Sequence, residues 1–133
     1  MTGQLHRDPR RLTTDALAFV TDRYLATLTT MRLDDTPHVV PIGFTYEPER
    51  RLVRIITRAA SRKVRHLGQD HRAAVSQIDG ARWITLEGHA IVTDDPTRVA
   101  EAVRRYAERY REPEPRDDRV AIELVVDRVM GRV

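Results

Sequence analysis

The chain has 133 residues, 41% hydrophobic and 32% charged, the composition of one globular domain and not of a disordered or fibrous chain. Lysine and arginine total 23 against 20 acidic residues, so the formal charge is only +3 and charge alone implies no nucleic-acid footprint. Cysteine is absent, which removes disulfides, thiolate nucleophiles, Cys-ligated zinc and iron–sulfur clusters and leaves redox chemistry to a bound cofactor. No apolar run approaches the roughly 18 to 20 residues that cross a bilayer, and the start MTGQLHRDPR lacks the apolar stretch of a signal peptide. A cytoplasmic protein with no membrane partner is expected.

Residues 1–12 are polar and read as a loose lead-in. From Thr14, DALAFVTDR predicts a short helix with Thr14 or Asp15 as N-cap. Tyr24 to Met31 alternates large apolar with small or hydroxyl side chains, the period of a strand. Pro37 to Tyr46 is β-branched and aromatic but interrupted by Pro41 and Gly43, which points to an edge, a bulge or a place of close approach. Leu52 to Thr57 completes an expected three-stranded meander over 24–57. A short helix is predicted over Ala59 to Gly68, ending at a glycine cap. Ala73 to Ile78 and Arg82 to Thr93 are two strands joined at Asp79-Gly80, a hairpin signal, and Gly88 marks a bend in the longer one. Val99, Ala102, Val103, Tyr106, Ala107 and Tyr110 place one apolar stripe on a helix over 97–110, with Pro96 at its start and Asp94 or Asp95 as cap. Val120 to Val126 is the last strand. Six strands, mostly hairpin-connected, with short helices at the periphery predict a single-domain, mainly β protein over 1–133 built as a small antiparallel barrel.

The segment IITRAASRK carries the most chemistry. A strand ends in Ile56 and Thr57, and after Arg58 and two alanines a helix begins with Ser61, Arg62 and Lys63. Two hydroxyls and two cations at a helix start make an anion pocket, or else a solvated basic first turn capped by Thr57 or Ser61. Lys63 is the single lysine in a chain with 22 arginines. His38 is either a ligand, catalytic acid or cofactor contact or a half-exposed strand residue, Trp83 either a core residue or a stacking platform, and Glu87 either an acid–base group or a solvated or paired one. His6, His66, His71 and His89 are scattered, so no metal site is expected. No Ser-His-Asp set, carboxylate pair, GxGxxG or P-loop spacing is present, and no catalytic side chain is assigned. A bound phosphorylated cofactor is the expected reagent.

The motifs TPHVVPIGF, IITRAASRK and SQIDGARWITLEG resemble the pyridoxamine 5′-phosphate oxidase-like, split β-barrel flavin and deazaflavin oxidoreductases, in particular the branch that uses coenzyme F420. The resemblance covers nearly the whole chain. It implies a six-stranded split barrel and a homodimer with two cofactor sites at the subunit interface. It also implies phosphate held by Thr57, Ser61, Arg62 and Lys63, next to Ile56, and the cofactor ring lying along His38, Val39, Val40 and Pro41. Trp83 would come from the partner subunit. The implied reaction is hydride transfer from the reduced deazaflavin to a planar conjugated acceptor, biliverdin first among them, with Arg58 and Arg82 as arginines for its propionates. FMN chemistry on a pyridoxamine-like or quinone substrate, and non-catalytic carriage of F420 or a tetrapyrrole, are the alternatives. Nucleic acid is not an expected partner, because two phenylalanines, one tryptophan and four tyrosines make no stacking stripe.

Overall fold

The computed structural model describes residues 12–133, so the expected lead-in lies outside the described residues apart from Leu12, which packs against the core. The elements are α1 (Thr14–Thr21), β1 (Ala26–Met31), β2 (Pro37–Ile42), β3 (Thr45–Glu47), β4 (Leu52–Arg58), α2 (Arg62–Leu67), β5 (Arg72–Asp79), β6 (Arg82–Thr93), α3 (Pro96–Arg109) and β7 (Arg119–Arg132). All strands join one antiparallel sheet in the order β2-β1-β5-β6-β7-β4-β3. The period of two is visible across it. Leu28, Val75, Leu86 and Val129 form one cross-strand row, none more than 1% exposed, and supply the centre of the core.

The expected six-stranded barrel is corrected to seven strands in an unclosed sheet. The segment read as one interrupted strand, Pro37 to Tyr46, is two, because its backbone changes partners at Gly43-Phe44. The Phe44 N–H donates to the Tyr110 hydroxyl at 3.2 Å instead of to a neighbouring strand. The Phe44 carbonyl accepts from Arg109, whose guanidinium also donates to the Asp22 carbonyl at 2.8 Å and to Gln77 Oε1 at 2.7 Å. A Cβ on Gly43 would stand 3.0 Å from the Tyr110 ring, so a larger residue here would require the tyrosine ring to give way where α3 presses on this corner. β2 therefore pairs with β1 at one end of the sheet while β3 pairs with β4 at the other. The meander expected over 24–57 is not formed, since β4 pairs with β3 and β7 and not with β2. The sheet curls until its two edge strands stand two residues apart in the chain, yet no ladder joins them.

Smaller boundaries also move. β7 runs on to Arg132 because residues 128–132 pair with Trp83 to Glu87. Ala59 and Ala60 form a turn before α2, and Gly68 ends that helix in a right-handed conformation. α1 is capped by Thr13, whose hydroxyl accepts from the Ala16 N–H at 3.0 Å. The hairpin loop is Gly80-Ala81, with Gly80 at φ 61°, a value glycine adopts without strain. Asp95 caps α3 through the Arg98 N–H at 3.0 Å, with Pro96 at the first turn. Asp95→Ala is expected to lower stability by about 0.5–2 kcal/mol, read as a lower urea midpoint at unchanged slope.

Candidate functional site

β4 and α2 meet at the open corner of the curled sheet, and two adjoining clefts lie there. The first, about 310 Å³, runs from Pro41 and Gly43 on the β2 side to Thr57, Arg58 and Lys63, with Tyr106 and the arginines Arg116 and Arg119 opposite. The second, about 380 Å³, is bounded by His38, Val40, Ser61, Arg62 and Arg65, and shares Arg58 and Lys63 with the first. The fold thus gathers most of the residues singled out by sequence. Ile56 lines the first cleft. Val39 is exposed and lines neither.

The local chemistry follows from which groups have partners. Thr57 donates to Ser61 Oγ at a long 3.4 Å, and the Ser61 hydroxyl does not cap α2. Six residues give α2 little dipole, so the positive potential of the corner comes from side chains. Arg58, Arg62, Lys63 and Arg65 make no hydrogen bond or ion pair through their side chains among the described residues, whereas Arg54, Arg72, Arg82, Arg98, Arg104 and Arg128 are all paired with carboxylates. Four unpaired cations around adjoining clefts repel one another, and an anion relieves that repulsion. Burial, and then the Arg58 guanidinium, hold the Lys63 ammonium below its ordinary range. A partly desolvated ammonium of this kind gains more from an anionic partner than an exposed one does.

A larger cleft of about 420 Å³ lies on the outer face of the sheet, beside Thr29, Met31 and Ala74. Its charged residues already have partners. Arg72 binds Asp70 at 2.5 Å, His89 binds Asp127 at 2.7 Å and Arg128 approaches Glu87 at 3.4 Å. It offers no free charge to an anion, and Glu87 is thereby placed as an ion-paired residue.

Two expected site residues lie elsewhere. Trp83, the second residue of β6, stands opposite Ile78 and Arg132, on the outer sheet face, and lines neither cationic cleft. Arg82 is committed to Asp79 at 2.6 Å, reaches the Tyr24 hydroxyl at 3.3 Å and lies over the Phe19 ring. Sequence reasoning missed Arg65, Arg116, Arg119 and Tyr106. The segment REPEPRDD reads as a linker, and Tyr106 as part of the apolar stripe of α3; only the fold turns them toward the corner.

A curled antiparallel sheet with a cationic cleft at its open corner defines a small domain with a site suited to an anion. The chain belongs to the pyridoxamine 5′-phosphate oxidase family, whose model matches residues 12–132. It is 49% identical over 121 residues to the F420H2-dependent biliverdin reductase of Mycobacterium tuberculosis, covering 91% of this chain and 88% of that protein. Among solved structures, an F420 reductase superposes with a TM-score of 0.71 at 25% identity, covering 84% of this chain and 93% of that one. A conserved hypothetical protein from Mycobacterium tuberculosis superposes with a TM-score of 0.79 at 22% identity, covering 96% and 89%.

Proposed function

We propose that the protein is a coenzyme F420-dependent reductase that passes a hydride to a planar conjugated acceptor, with biliverdin as the acceptor and bilirubin as the product. The observation that carries the reading is the group of unpaired cations, Arg58, Arg62, Lys63 and Arg65, around the corner clefts. The relative named for F420H2 and biliverdin, at 49% identity, supports this choice of cofactor and acceptor.

The residues present fit such a cofactor. Lys63, Arg58 and Arg62 would hold its phosphate and acidic tail, with the hydroxyls of Thr57 and Ser61 beside them. His38, Val40 and Pro41 offer the less polar wall against which a ring can lie, with Ile56 in the first cleft beside it. Reduced F420, when bound, supplies the hydride, so the protein's share is orientation, exclusion of water and charge. Arg58, which lines both clefts without an ion-pair partner, is available for an acceptor's propionate, whereas Arg82 is held by Asp79.

The reading includes a homodimer that completes the site. On the outer face of the sheet, Pro41, Thr27, Ser76, Thr85 and Met130 form a cross-strand row with no charge in it. Pro41 also lines the first cleft, so a second copy on this face would bring its own residues, Trp83 among them, beside the cofactor. The wild type is expected to sediment as a dimer and Thr85→Arg as a monomer; a monomeric wild type would remove this part of the reading.

Absorbance-monitored oxidation of reduced F420 with biliverdin, beside a panel of quinones, tests the activity. Turnover with biliverdin is expected. Micromolar binding of FMN with none of F420 would sink the cofactor assignment, and binding without turnover of any acceptor would make the protein a carrier.

A further inference from the structure

His38 on β2 and His66 on α2 pack edge to face, ring centroids 4.7 Å apart at 73°. His38 lines the second cleft, and its Nδ1 is buried without a hydrogen-bond partner. Behind it, His66 Nδ1 lies 3.0 Å from the hydroxyl of Thr30, which is fully buried and is the register partner of His38 across the β1–β2 ladder. The three residues form a polar stack leading from the cleft wall into the protein. None of them belongs to the apolar core cluster, and the proposed cofactor contacts leave His66 and Thr30 without a role.

The charged groups around the pair are cations. Arg32 comes from the β1–β2 turn, Arg62, Lys63 and Arg65 from α2, and Arg58 from the end of β4 across the cleft. β6, which also packs against α2, turns Glu87 to the opposite face of the sheet in a pair with Arg128, and Asp70 beyond α2 is held by Arg72. Burial first, and then His66 and the cations, hold the His38 imidazole below its ordinary value; burial and then Arg32, Arg65 and Arg62 do the same for His66. Both rings are therefore biased toward the neutral form in the ligand-free protein.

We propose that His38 and His66 form a proton-accepting pair coupled to the cationic cleft, so that binding of a phosphate-bearing ligand there takes up one proton and holds it beside the ligand. The inference rests on the corner clefts being the cofactor site. An anion in the cleft offsets the cationic share of what keeps the rings neutral, while burial remains, and two imidazolium rings this close repel, which limits the pair to one proton. The sign is fixed by linkage. Protonation is favoured in the liganded state, so affinity rises as pH falls, by up to tenfold per pH unit between the ligand-free and liganded values of the pair, and is flat above and below that window.

Calorimetric titration of the full chain with coenzyme F420 near pH 7, in two buffers of different ionisation enthalpy, reads the proton directly. The wild type is expected to take up a substantial fraction of one proton more than the double variant His38→Gln/His66→Asn, in which neither ring is left to accept it and a hydrogen-bonding group stays opposite Thr30. The double variant should also lose the pH dependence of Kd. F420 binding with the same proton exchange in both proteins overturns the inference and leaves the cofactor reading standing. NMR titration of the imidazoles without and with saturating sulfate is the second arm, since sulfate does not titrate near neutrality. A rise of about one pH unit or more in a chain that ignores F420 supports the pair and sinks the cofactor reading. No response to sulfate in a chain that also ignores F420 overturns both.

Discussion

Lys63→Ala is expected to weaken coenzyme F420 binding about 10- to 150-fold, the equivalent of the roughly 1.5–3 kcal/mol of a hydrogen bond to a charged group. Lys63 borders both corner clefts, is half-buried and has no partner among the described residues, so its charge is available to a ligand and to nothing else. Fluorescence titration at fixed ionic strength measures the change, and the loss should shrink as salt is raised. Lys63→Arg keeps the charge but brings a bulkier, planar fork into a site shared with Arg58, so a partial loss is expected. Unchanged affinity in Lys63→Ala would remove the phosphate assignment from this corner. Stability should hardly move, because the removed ammonium makes no contact that the fold needs.

Gly88→Ala is expected to have the opposite profile, a loss of about 3 kcal/mol or more in stability with no change in the chemistry of the cationic corner. A Cβ at Gly88 would stand 1.9 Å from the Val125 carbonyl oxygen and 2.9 Å from its carbon. These are backbone atoms, so no side chain can turn aside to make room. The position is a β-bulge, where Glu87 pairs with Arg128 but Gly88 pairs with Val126, leaving Asp127 as the extra residue. The bulge bends the two longest strands, β6 and β7, and so gives the sheet its curl. Urea unfolding followed by circular dichroism checks the magnitude; a wild-type midpoint would mean that the strands slip freely past this contact.

The two substitutions separate what was legible from what was not. The bend at Gly88, the Gly80 hairpin, the Asp95 cap and the stripe of α3 are each encoded within a few residues of chain, where periodicity and turn chemistry act. Ile56 to Lys63 was readable as a cationic junction for the same reason, since a strand end, hydroxyls and cations follow one another directly. The break at Gly43-Phe44 was visible as an interruption, but its consequence was not. Whether that residue pair bulges one strand or divides it into two depends on Tyr110 and Arg109, some 65 residues away in the chain.

From sequence alone came the fold class, the absence of cysteine chemistry and the segment that carries the free cations. The tertiary structure alone decided that the sheet stays open with seven strands, that His66 stands behind His38, that Arg116 and Arg119 join the corner, and that Arg82 is spent on Asp79. The physical reason is that strand and helix signals are set by neighbours in the chain, whereas pairing of edges and pairing of charges are set by neighbours in space. An arginine reads the same in sequence whether a carboxylate waits for it or not, and only the fold shows which of those among the described residues are left free.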